Sequence, residues 1–101
     1  MELEPDDVAA ITLRMKKAHG HLASVIRMME EGSDCESLLT QLAAVNKALS
    51  RAGFALVAEG LHQCLEAGDG VDSVDVKKME KLFLSLAYAN SRRSILAISQ
   101  A

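Results

Sequence analysis

SDCESLLTQLAAVNKALSRAGFALVAEGLHQCLEAG, running from Ser33 to Gly68, is the stretch that decides the fold. Leu38, Leu42, Val45, Leu49, Ala52 and Leu56 alternate spacings of four and three, and Leu61 and Leu65 prolong the apolar series. That rhythm is a helical seam; a half-buried strand would alternate every second residue. Ser33-Asp34-Cys35-Glu36 has the Ser-x-x-Glu form of a capping box and predicts that the helix begins there. The helix is expected to end near Gly68, a length of roughly 33 residues and about 50 Å. One partner helix of about 25 residues cannot cover it, so a second chain is expected against it.

Upstream, a first helix is predicted from Pro5, suited to the first turn, with Asp6 and Asp7 at the favourable end of the dipole. Its seam is Val8, Ile11, Met15, Ala18, Leu22, Val25 and Met29, and Gly32 should stop it. The short turn to the next helix makes an antiparallel hairpin. Downstream, Gly68-Asp69-Gly70 reads as a loop, and Ser73 or Asp72 caps a third helix bearing Val76, Met79, Leu82, Phe83 and Leu86. Residues 1–89 are read as one domain and 90–101 as a tail that extends the helix or frays.

The composition agrees with an all-α protomer. Of 101 residues, 50% are apolar, yet the aromatics are only Phe54, Phe83 and Tyr88, with six glycines and one proline. Leu, Ala, Val, Ile and Met without turn chemistry favour helices packed on helices. A short chain this apolar is expected to hide its surplus in an oligomer. Glu2, Glu4, Asp6 and Asp7 stand where a signal peptide would be basic, and no apolar run nears the roughly 20 residues of a membrane span. A cytoplasmic protein with reduced thiols and no membrane partner is therefore expected.

The net charge of −3 is unevenly spread. Val8 to Met29 holds no acidic residue but carries Arg14, Lys16, Lys17 and Arg27, with His19 and His21 between them. Such a run is either an ordinary solvated face or, repeated in a symmetric oligomer, a stripe able to follow a phosphate backbone.

Cys35 and Cys64 stand 29 positions apart, which at about 100° per residue leaves them about 20° from a common helix face. The rise between them is roughly 43 Å, so they cannot meet within one chain. Two copies of the helix packed antiparallel about Ser50 would set Cys35 of one chain opposite Cys64 of the other, twice. The spacing allows this without requiring it, and two buried cysteines acting as small apolar residues remain the plain alternative. Cys35 lies in a first helical turn, where the dipole favours reactive thiols. His62 and Glu66 beside Cys64 predict polar surroundings for that thiol.

These residues carry a family resemblance. Leu13-Arg14-Met15-Lys16-Lys17-Ala18-His19-Gly20-His21-Leu22, then Arg27-Met28-Met29-Glu30-Glu31-Gly32, then Cys35 leading into Leu39-Thr40-Gln41-Leu42-Ala43-Ala44-Val45, and finally Cys64, resemble the CsoR/RcnR/FrmR group of bacterial repressors over about residues 11 to 87. The resemblance implies three helices per subunit, an antiparallel four-helix-bundle dimer, a dimer of dimers, and DNA held by basic surface residues without a helix-turn-helix. It also implies that an inducer at the intersubunit site releases the operator. Arg14, Lys16 and Lys17, supported by Lys47 and Arg51, are the implied DNA contacts; Asn46 stands where relatives often carry arginine.

The departures from the family pattern select the inducer. In the copper sensors a histidine precedes the second cysteine by four residues; here that position is Gly60. His62 is about 200° around the helix from the thiol and substitutes poorly. Asp34 replaces a tyrosine before the first cysteine, while Glu80 matches an acidic residue of the third helix. The nickel/cobalt branch needs an N-terminal histidine, absent from Met1 to Asp7, and the formaldehyde branch a proline where Glu2 stands. What remains resembles the persulfide sensors, in which a thiolate attacks a low-molecular-weight persulfide and the partner thiol closes an intersubunit bridge. The expected function is thus operator release on bridging Cys35 and Cys64 of two subunits, with no metal or cofactor. Two alternatives stand beside it: Cu(I)-responsive repression through the same cysteines, and a helical thiol or copper carrier that does not bind DNA. Met15, Met28, Met29 and Met79 fall at core spacing and are read as packing residues. No nucleophile–base constellation points to an enzyme.

Overall fold

The computed structural model describes residues 2–68, 70 and 73–89, and the predicted tail at 90–101 lies outside them. Three α-helices follow in order: α1 at Ala9–Glu30, α2 at Cys35–Glu66 and α3 at Val74–Ala89, with no strand among the described residues. The first turn departs from expectation. Pro5–Val8 is a 3₁₀ turn rather than the start of α1. The Asp7 N–H bonds the Glu4 carbonyl three residues back at 3.0 Å, and no side chain caps this end.

The junction of α1 and α2 is built by local chemistry. Gly32, at φ +82, takes the left-handed conformation that ends α1. There the Ser33 N–H reaches the Met28 carbonyl at 3.0 Å and the Gly32 N–H reaches Met29 at 3.3 Å, the bond pair of a Schellman closure. The capping box predicted on Ser33 is not formed. Asp34 is the cap: its carboxylate accepts from the Ser37 N–H at 3.0 Å and from the Ser37 hydroxyl at 2.8 Å. Ser33 is spent on closing α1, and Asp34 engages Ser37 through both oxygens. Gly68, at φ +91, ends α2 similarly, and the Ser73 hydroxyl accepts from the Val76 N–H to open α3.

The helices lie in one layer. α2 packs against α1 on one flank and α3 on the other, while α1 and α3 do not pair. The thickness of 13 Å is that of a single helix with its side chains. Ala18 and Val25 of α1 are buried with Val45 and Ala52 of α2. Towards the other end, Cys64 is buried with Val76 and Met79 of α3, flanked by Val57 and Leu61.

The seams read from the sequence are thereby split. Met15 and Met29 of α1 are exposed, and so are Leu42, Leu49, Leu56 and Leu65 of α2. On α2 the residues at 45 and 52 are buried, while those at 42, 49 and 56 form a second, open row of the same seven-residue period. Leu82, Phe83, Leu84 and Tyr88 of α3 add to the open apolar surface. A single layer gives each helix too few covered sides to hide a seam on every element.

The Asp34 cap carries a pH signature. Hydrogen bonds first from the Ser37 hydroxyl and then from its backbone N–H hold the Asp34 carboxyl below its ordinary value of 3.8. A depressed carboxyl stabilises the fold above its unfolded value, and that contribution fades as pH falls through the lower folded one. Thermal melts should show Asp34→Ala less stable than wild type at neutral pH, with the gap closing in acid; a gap constant down to pH 2 would contradict the cap.

Candidate thiol site and nucleic-acid interface

Cys35 is the first residue of α2 and is exposed; Cys64 lies one half-turn from its other end and is buried. Within one protomer the helix holds them apart by roughly 43 Å. No group of three or more His, Cys, Asp or Glu side chains gathers among the described residues.

The polar surroundings expected for Cys64 are not found. Its relative exposure is 4%, and its neighbours are Val76, Met79, Val57 and Leu61. His62 and Glu66 are adjacent in sequence but turn outward, pairing with each other at 3.2 Å on the exposed side. Helical rotation separates neighbours two apart by about 200°, which sends these polar groups to the opposite face from the thiol.

Gly60 explains the packing around Cys64. It is buried one turn before the cysteine on α2. A Cβ built at Gly60 would meet the Met79 methyl at 2.7 Å and its Sδ at 3.2 Å. Met79, itself 7% exposed, therefore fills the space that a side chain at position 60 would take. Met79 is in the core, as its helical spacing predicts, and its contact with Gly60 is a feature that spacing does not reveal. The missing clue was a glycine inside a Leu/Ala-rich helix, where close approach by a neighbour is one reason to give up helix propensity. Glu80 is exposed and lines a groove of about 500 Å³ with Phe54, Leu61, Met79 and Phe83.

The basic residues divide between two places. Arg14, Lys17 and His21 of α1 and Arg51 of α2 line one groove of about 530 Å³, floored by Ala18 and Ala48. Small residues there let the two helices approach and bring their cations together. His21 is fixed across the hairpin by a 2.7 Å hydrogen bond between its Nε2 and Gln41 Oε1. Lys16 instead lines a separate depression with Leu3, Pro5 and Leu13, and exposed Lys47 does not line the basic groove.

No helix among the described residues is long and apolar enough to cross a membrane. The family model described as "metal-sensitive transcriptional repressor" matches residues 7–85. The copper-sensing transcriptional repressor CsoR of Mycobacterium ulcerans is 35% identical over 74 residues, covering 69% of this chain and 63% of the relative. The copper-sensing transcriptional repressor RicR of Mycobacterium tuberculosis is 34% identical over 64 residues, covering 58% and 67% respectively. CsoR of Bacillus subtilis is 28% identical over 68 residues, covering 63% and 67%. The chain thus spans less than two thirds of the length of the M. ulcerans relative. No solved structure matches it.

The unequal burial of the two thiols has a direct readout. Under native conditions, peptide-mapped iodoacetamide labelling should modify Cys35 well before Cys64, and denaturant should remove the difference. Equal native rates would place Cys64 outside the apolar cluster.

Proposed function

Because the chain belongs to the metal-sensitive transcriptional repressor family, a family of regulators rather than enzymes, we propose that it is a DNA-binding repressor that senses Cu(I) and acts in the cytoplasm. The observation that carries this reading is the placement of two cysteines at opposite ends of one long helix within a family-wide match. Two such helices paired antiparallel bring Cys35 of one subunit to Cys64 of the other, twice per dimer. Soft thiolates select Cu(I) over harder cations, and the relatives described above carry copper-sensing names. The open apolar rows on α2 and α3 supply a face for the second subunit, and the same surface allows a dimer of dimers.

Operator DNA is held, in this reading, by the groove of Arg14, Lys17, His21 and Arg51. Cations on both helices of the hairpin report any change in the α1–α2 packing directly to the phosphates. Cu(I) joining the two subunits through α2 gives that packing two discrete arrangements, one competent for DNA and one not. Lys16 and Lys47 are auxiliary contacts outside the groove.

Persulfide sensing is the second reading, favoured by one observation: Gly60 offers no nitrogen ligand, and His62 faces away from Cys64. In that chemistry the thiolate of one cysteine takes the outer sulfur of a persulfide, releasing a thiolate. The partner thiol then attacks the new persulfide, closing an intersubunit disulfide with loss of hydrosulfide.

Electrophoretic mobility shifts on the chain's own promoter decide among the readings. One equivalent of Cu(I) per subunit under anaerobic, reducing conditions should release the DNA, and Cys35→Ala or Cys64→Ala should remain bound. Release by glutathione persulfide alone, with a cross-linked dimer on non-reducing mass spectrometry, would replace copper by reactive sulfur. Failure to bind the promoter at low salt would favour the carrier. Arg14→Ala and Lys17→Ala should each flatten the logarithmic salt dependence of DNA affinity by about one unit, whereas Lys77→Ala on α3 should leave it unchanged.

A further inference from the structure

Met79 has a property that neither its family match nor its place in the core assigns. Its thioether lies over Gly60, one turn from Cys64, with Sδ at 3.2 Å from the position of a Gly60 Cβ. Cys64 and Met79 belong to one buried cluster with Val76, so two soft sulfur donors share an apolar, water-poor environment. A small groove of about 190 Å³, lined by Leu3, Leu56, Val57, Gly60, Met79 and Leu82, reaches the methionine from the surface. Methionine has an unbranched, three-bond side chain, so its sulfur can swing by rotamer change without moving α3.

We propose that Met79 Sδ is the third donor to Cu(I), completing a trigonal all-sulfur site with Cys64 of its own subunit and Cys35 of the partner subunit. The proposal rests on the copper reading above and deepens it. Gly60 and Met79 act together: absence of a side chain at 60 opens the space beside Cys64, and the thioether of α3 enters it. Thiolate and thioether are both ligand types that favour Cu(I). On metal binding each cysteine gives up its thiol proton to solvent, while the thioether binds without proton exchange or change of oxidation state. A ligand on α3 would also couple copper to a third helix, so that the metal ties α3 to α2 as well as one subunit to the other.

The alternative role for Met79 is that of a filler beneath Gly60. Anaerobic competition with bathocuproine disulfonate and X-ray absorption of the Cu(I)-loaded full chain separate the two. Selenomethionine labelling should place a selenium in the first coordination shell, and Met79→Leu, which keeps the volume, should remove it. Met79→Leu should also weaken Cu(I) binding by at least about tenfold, while Met28→Leu leaves both readouts unchanged. The double variant Gly60→His/Met79→Ala, which clears the methyl from position 60, should recover affinity with a nitrogen scatterer in place of the selenium. A wild-type site that binds Cu(I) tightly through Cys35 and Cys64 with no selenium shell, and with Met79→Leu unaffected, would overturn the role of Met79 and leave copper sensing intact. No tight Cu(I) binding by wild type at all would overturn both together.

Discussion

The packing of α2 between α1 and α3 is the contact on which the other features depend. At 32 residues it outruns α1 at 22 and α3 at 16, and each neighbour can cover only part of it. α1 is held through Ala18 and Val25 against Val45 and Ala52, and α3 through Val76 and Met79 against Cys64. Small residues along the α1 seam, Ala18 and Ala52 above all, let the backbones come close. That closeness brings Arg51 into one groove with Arg14 and Lys17. The helix that spaces the cysteines also carries part of the cationic surface.

Much of this was legible in the sequence because it depends on local periodicity. The three helices, the stops at Gly32 and Gly68 and a cap of α3 at Ser73 or Asp72, formed by Ser73, follow from spacing and turn chemistry that act within a few residues. The cap of α2 was misplaced by one residue, since Ser33 and Asp34 are both competent caps. Only the three-dimensional turn reveals that the Ser33 N–H closes α1 while both Asp34 oxygens engage Ser37. The start of α1 was likewise too early, because Pro5 and two acidic residues fit a 3₁₀ turn as well as an α-helical one.

What resisted sequence reading lay across elements. An apolar seam says that residues will be covered, not by which neighbour, so Leu42, Leu49 and Leu56 look the same in sequence as Val45 and Ala52 although only the latter pair is covered within the protomer. The character of Cys64 was misjudged for a related reason: His62 and Glu66 are its neighbours in the chain but not in space. The pairing of Gly60 with Met79 spans a loop and nineteen positions, and no periodicity connects them. Family resemblance supplied the importance of position 60, and the structure supplied its occupant.

That occupancy couples two positions that the sequence keeps nineteen residues apart. Placing any side chain at position 60 sets a Cβ 2.7 Å from the Met79 methyl, the far end of a flexible side chain that can turn aside. Shortening residue 79 first opens a void that a later histidine can fill. Grafting a larger side chain into position 60 therefore begins with a rotamer change at residue 79, and shortening that residue makes the room outright.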